Sequence, residues 1–209
     1  MKAILYFVIC FSVHSALAEE PVLERWLAKQ SSINSLDVEF TQERKLPALK
    51  QATTTRGKLV FSKPDKVRWQ LGDPIQSLVV STGQEMTFIN TSEKFARRTD
   101  IDSPQASHFS LLTGKSFAST ANFHASFRMV ETRQSNGIYQ FTIQSNDRKM
   151  RTQIPWIFIS IDPAQNELRA LEIELKDKSR VKTTFGTARV NLPIDPKLFT
   201  PDLTGYKLK

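Results

Sequence analysis

The chain has 209 residues, with 29 lysines and arginines against 21 aspartates and glutamates, a formal net charge of +8 and one cysteine. A single cysteine excludes both a disulfide framework and a thiolate metal cage, and the length is enough to bury an apolar core. Such a basic balance points to nucleic acid in an intracellular protein, but behind an export signal anionic membrane surfaces or an acidic protein partner become the natural counter-charges.

The first residues have the features of an export signal. Lys2 supplies the positive start, Ala3 to Val13 form an apolar run too short to span a bilayer, and Ala16-Leu17-Ala18 is a small-x-small cleavage site. No acid occurs before Glu19. Cys10 lies inside this leader, and Ile9 before it is not the small residue that a lipid-anchoring signal requires. Residues 1–18 are therefore expected to be cleaved. Residues 19–209 are expected to form one domain with a net charge of +7, because only Lys2 is lost with the leader.

Pro21 suits a first helical turn, and Val22, Leu23, Trp26, Leu27 and Ile33 give a helical apolar stripe. From Leu36 the period changes to two. Leu36, Val38 and Phe40 alternate with Asp37, Glu39 and Thr41, and Leu59 and Phe61 share a face of the next segment. Pro64-Asp65 is a turn pair. Val67, Trp69 and Leu71 then alternate with Lys66, Arg68 and Gln70, which marks a strand with one apolar and one polar face. Residues 76–81 and 85–90 flank a turn at Thr82-Gly83, and 93–99 form a more polar strand.

Residues 103–122 break the alternation. Ser103-Pro104 starts a helical insert that carries Phe109, Leu111 and Leu112 up to Gly114, and Phe117, Ala118 and Phe123 form a second apolar cluster. Strands resume at Phe127 and Met129, at 138–143 after the Asn136-Gly137 turn, at 154–161, at 171–175 and at 181–185. The segment 154–161 is apolar on both faces, which predicts cover on both sides. No linker and no repeat divides the chain. About eleven strands joined by short turns imply a strongly curved antiparallel sheet in an α+β, mostly β protein.

Enzyme chemistry finds no support in these residues. Gly114-Lys115-Ser116 matches the end of a phosphate loop, but Phe109 stands where its first glycine belongs. No G-x-S-x-G elbow occurs. His108 and His124 lack metal-ligand spacing, and Asp100 and Asp102 sit in a polar turn. No catalytic residue, metal ligand or cofactor is assigned. The residues alone leave open whether the inward apolar face makes a filled core or a ligand cavity.

Several short motifs, in order, resemble the outer-membrane lipoprotein carrier family: Phe40-Thr41-Gln42, Gly57-x-Leu59, Lys63-Pro64, Arg68-Trp69, Pro74, Ser81-x-Gly83, Phe109 with Leu111-Leu112, and Phe199-Thr200-Pro201 with Gly205 beyond. The resemblance covers nearly all of residues 19–209 and is densest over 36–90. It implies a half-open antiparallel β-barrel with helices covering its concave face. It also implies a periplasmic, monomeric, non-enzymatic carrier that binds neither cofactor nor nucleic acid. Such carriers take lipid-modified proteins from an inner-membrane ABC lipoprotein-release complex and pass them to an outer-membrane receptor of similar fold, with the acyl chains held between sheet and lid.

Carried over to this sequence, the acyl-binding surface falls to Val38, Phe40, Leu59, Phe61, Val67, Trp69, Leu71, Leu78, Val80 and Phe88. The lid falls to Phe109, Leu111, Leu112, Phe117 and Phe123, with Lys63 and Arg68 as gating or partner contacts. Two departures bear on the passenger. Met86-Thr87-Phe88-Ile89 replaces a strand that often carries Trp and Tyr, and Lys63 replaces a frequent arginine, keeping the charge but losing the planar fork. A carrier of glycolipid or another amphiphile, and a lipoprotein-sensing regulatory domain, are the alternative readings.

Overall fold

The computed structural model describes residues 21–49, 51–101, 103, 106 and 115–209. The alternating segments all form strands: β1 (Ser35–Lys45), β2 (Thr53–Ser62), β3 (Lys66–Leu71), β4 (Ser77–Ser81), β5 (Glu85–Asn90), β6 (Phe95–Asp100), β7 (Phe127–Ser135), β8 (Ile138–Ser145), β9 (Trp156–Asp162), β10 (Glu167–Glu174) and β11 (Arg180–Phe185). Two further strands, β12 (Arg189–Val190) and β13 (Lys207–Leu208), have two residues each. They raise the described total to thirteen. A strand of two residues is too short to show an alternation, which is why the sequence alone yields about eleven. The α-helices whose residues are fully described are α1 (Val22–Ser31), α2 (Thr120–Ser126) and α3 (Arg148–Gln153).

All described strands belong to one open sheet in the order β13-β6-β5-β4-β3-β2-β1-β11-β10-β9-β8-β7, with β12 paired to β1 beside this path. Two antiparallel meanders, β1 to β6 and β7 to β11, are joined side by side where β1 pairs β11. Among the described strands only β13 runs parallel to its neighbour, β6. The longest strand, β1, pairs β2 over nearly its whole length, while Phe40–Lys45 pair β11 and Leu36 and Asp37 pair β12. The chain leaves the sheet between β11 and β12.

Cross-strand register sets the faces, because directly opposed residues point the same way. Leu36 opposes Phe61, Val38 opposes Leu59 and Phe40 opposes Gly57. Leu59 opposes Trp69, and Phe40 opposes Phe185. In the second meander Leu171, Ile159 and Phe141 line up, as do Ile173, Ile157 and Ile143. This apolar inner face is covered by the helices. Leu23, Trp26 and Leu27 of α1 are buried with Phe123, Phe127 and the isoleucines of β8 and β9. Strand β9 corrects one expectation. Its inner residues Ile157, Ile159 and Ile161 are buried, but its outer face is only half-covered, with the Arg180 guanidinium 5.6 Å from the Phe158 ring centre.

Helix α1 is strapped down on both sides. Lys63 donates to Ser31 O at 2.7 Å, a cation on the carbonyl end of the helix. Lys29 donates to the carbonyls of Gln165 and Asn166 at 3.4 and 3.3 Å, and the Asn166 amide donates to Arg25 O at 3.2 Å. His124 of α2 lies 2.9 Å from Glu24 of α1.

Gly57 shows what sets a motif glycine. A Cβ there would run into the Phe40 ring and come within 2.5 Å of Gln70 O, a backbone atom that cannot yield cheaply. The Phe40 ring occupies the space that a side chain at position 57 would need. Gly57→Ala is therefore expected to cost about 1–3 kcal/mol, read as a lower urea midpoint at unchanged slope. An unchanged midpoint would mean that β2 and β3 separate freely at this point.

Candidate functional site

Between α1 and the inner face lies a cavity of about 200 Å³. Helix α1 and the turn after it contribute Trp26, Lys29, Gln30 and Ile33. The walls are Leu36, Val38 and Leu59 on one side and Ile159, Leu168 and Leu171 on the other. Phe185, Gly186, Ala188 and Val190 close the back, where the chain leaves the sheet between β11 and β12. Phe117, in the short 3₁₀ turn Lys115–Phe117, completes the lining. Polar side chains come from α1 (Lys29 and Gln30), from Asn166 of the β9–β10 turn and from Glu167 at the start of β10.

That turn is electrostatically fixed. Asn166 adopts a left-handed φ of 52°. Asp162 lies below its ordinary pKa, first because Arg169 donates a hydrogen bond to it and then because the Gln165 and Ala164 amides do. Arg169 also reaches Glu167 at 3.4 Å. Asn166 Oδ1 is buried without a hydrogen-bond partner among the described residues. Among those residues no group of three His, Cys, Asp or Glu side chains is arranged to hold a metal. The lining itself gives apolar enclosure with a polar rim.

The residues expected from the sequence are spread over several places. Val38, Leu59 and Phe117 line the cavity itself. Phe40, Val67 and Trp69 are buried beside it on the same face, with Phe61 and Leu71 packed against them. The Phe40 and Trp69 rings lie 4.3 Å apart, and Phe40 meets Phe185 edge-on at 6.1 Å. Phe88 shares this face through its pairing with Val79, and the Arg97 guanidinium lies 5.7 Å from its ring centre. Phe123 is fully buried in the core beneath α1. Phe109, Leu111 and Leu112 lie outside the described residues, as does the leader.

Leu78 and Val80 require a correction. They oppose Gln70 and Arg68, so they point to the outer face, and Val79 takes the inner position opposite Trp69. Strand β4 is apolar on both faces, so its parity is not readable without a neighbour to fix the register. Arg68 is on the outer face as well, donating to Leu198 O at 3.1 Å, whereas Lys63 holds the covering helix. Sequence reasoning misses the contribution of α1 and of β10–β12. The Trp26 stripe and the Leu171 alternation are visible, but both read equally well as filled core.

The chain matches the family model described as outer membrane lipoprotein carrier protein LolA over residues 31–202. It is 33% identical over 113 residues to an outer-membrane lipoprotein carrier protein of Psychromonas ingrahamii, and the match spans 54% of each chain, about half the length of that curated relative. Among solved structures, an uncharacterized conserved protein from Thermus thermophilus superposes with a TM-score of 0.53 at 6% identity, covering 90% of this chain and 96% of that one. A LolA superfamily protein from Nitrosomonas europaea gives 0.43 at 10% identity, over 84% and 96%.

Proposed function

Since this chain belongs to the outer-membrane lipoprotein carrier family, we propose that it is a periplasmic, non-enzymatic carrier that shields the acyl chains of lipoproteins in the cavity under α1. The observation that carries this reading is the cavity itself. Its walls are aliphatic and aromatic, its polar side chains come from α1 and the β9–β10 junction, and it lies between a curved sheet and a strapped helix. No helix among the described residues is long and apolar enough to cross a membrane.

The size of the cavity bears on mechanism. About 200 Å³ falls below the roughly 300–1,000 Å³ of ordinary ligand pockets, so several long chains enter only as the cover moves off the sheet. Each methylene moved out of water gains about 0.8 kcal/mol. Unopposed, that gain would trap a triacylated passenger. Lifting α1 and Phe117 from the inner face costs contacts of the same kind, and the two terms offset, leaving a passenger that binds and still leaves. In this reading the chain accepts its cargo from an inner-membrane ABC transporter and yields it to an outer-membrane receptor, acting as a monomer and spending no ATP of its own. Lys63, seated on the carbonyl end of α1, keeps the cover closed while the cavity is empty.

A photo-crosslinking residue at Leu36, on the cavity wall, is expected to label passenger acyl chains during transfer. The same residue at Glu39, exposed on the opposite face of β1, is expected to give none. Equal labelling from both positions rejects the inner face as the acyl-binding surface.

A further inference from the structure

The outer face of the first meander holds a second cavity. Val60, Leu78, Val80, Ile89 and Ala96 are apolar and point away from α1, and the C-terminal segment buries them by placing Phe199 across them. The seal is incomplete. About 360 Å³ stays open, with Ile75, Leu78 and Ile89 on the sheet side and Leu198, Pro201 and Tyr206 on the segment side.

Arg68 lies in this cavity. A guanidinium has five N–H donors. One amino group donates to Leu198 O at 3.1 Å and the other to Gln70 Oε1 at 3.4 Å, so three donors have no partner among the described residues. No carboxylate lies within ion-pair distance of it among those residues, which sets it apart from Arg169, Arg180 and Arg189, each paired with Asp or Glu. Asp202 lines the same cavity, but its Oδ1 accepts from the Thr204 amide and hydroxyl at 2.9 and 2.7 Å. Lys197 adds a second cation to the lining, and Lys66 lies 6.0 Å from the Phe199 ring centre. Burial pushes the Arg68 pKa down with no acidic neighbour to offset it. A partly desolvated fork with unspent donors beside an aliphatic wall is complementary to a planar or tetrahedral oxyanion that carries a short hydrocarbon.

We propose that this outer cavity binds a small anionic amphiphile, a carboxylate or phosphate head on a short aliphatic chain, with Arg68 on the head and Leu78 and Ile89 on the tail. The site is distinct from the carrier cavity, because Arg68 and Trp69 are adjacent in β3 and point to opposite faces of the sheet. Its occupancy would set how firmly the C-terminal segment is held, since Leu198 O and the ligand share one guanidinium.

The test is an NMR titration of the purified protein with octanoate, octyl phosphate, octanol and acetate. Octanoate or octyl phosphate is expected to shift the amides of Leu198, Thr200 and Tyr206 saturably, and the tighter of the two distinguishes a carboxylate from a phosphate source. Octanol lacks the head and acetate the tail, and both should leave these signals in place at matched concentration. Arg68→Gln should weaken the binding by roughly tenfold or more, as loss of a charged hydrogen bond does, and Arg68→Lys by less. A fluorescent acyl ester bound in the carrier cavity, which has no anionic head for Arg68, should keep its affinity in both variants, which separates failure here from failure of the carrier reading. Octanol binding as well as octanoate, Arg68→Gln binding unchanged, or shifts confined to residues around Leu36 and Gly186 would each overturn the proposal. If Arg68→Gln fails to fold, Arg68→Lys and Lys197→Gln carry the same comparison.

Discussion

Phe123→Ala is expected to cost about 3–5 kcal/mol, the range for truncating a fully buried phenylalanine. Phe123 has no exposed surface and sits among Leu27, Phe127 and the isoleucines of β8 and β9. Its ring centre is 5.8 Å from that of Phe117 and 5.4 Å from that of Phe127. Helix α2, which carries it, has seven residues and is capped by Ser119 accepting from Asn122 N. Such a short helix has little stability of its own, so its anchor does most to hold it. Against a typical total of about 5–15 kcal/mol, the variant lies near the edge of folding. A fall in melting temperature of roughly 6–20 °C follows for a chain of this size. Thermal unfolding followed by circular dichroism measures it directly. A fall of only a degree or two would mean that α2 detaches from the sheet without cost and that Phe123 belongs to the moving cover.

The family motifs and the strand parities are legible in the sequence because they rest on local physics. Period-two alternation places Val38, Phe40, Leu59, Phe61, Val67, Trp69 and Leu71 on one face, and register confirms that they share it. Parity fails at Leu78 and Val80, where both faces of the strand are apolar. An outward apolar residue there is explained only by a segment more than a hundred positions later, through Phe199. The cavity is less legible still. Among the described residues its roof comes from α1 and from Phe117 of the insert at 103–123, while Phe109, Leu111 and Leu112 of that insert lie outside the described residues. An amphipathic helix looks the same whether it seals a core or lies over a void. What distinguishes the two is the break between β11 and β12, where Gly186 and Ala188 line the cavity with little side chain of their own. Nothing in the local pattern announces that break, because it depends on β1 being long enough to pair two strands on one edge.

Phe117 is where stability and function part. Unlike Phe123 it is only partly buried, and it reaches two environments at once. Its ring stacks on Phe127 at 5.3 Å and meets Trp26 edge-on at 6.0 Å, yet it also lines the carrier cavity. In the carrier mechanism proposed above, Phe117 leaves the sheet and helix when the passenger enters, so Phe117→Ala is expected to destabilise the closed empty state more than the loaded one. Burying a phenylalanine side chain is worth about 1.5–3 kcal/mol. If half of that is lost selectively from the empty state, a fluorescent fatty-acid probe binds roughly three- to tenfold more tightly. Release to the receptor slows in proportion, because the ring that re-occupies the site is gone. The expected result is therefore a paired one: higher probe affinity with impaired transfer, and only a modest drop in melting temperature. Weaker probe binding would mean that Phe117 is a fixed wall contacting the passenger. A large stability loss with unchanged affinity would return it to the core with Phe123.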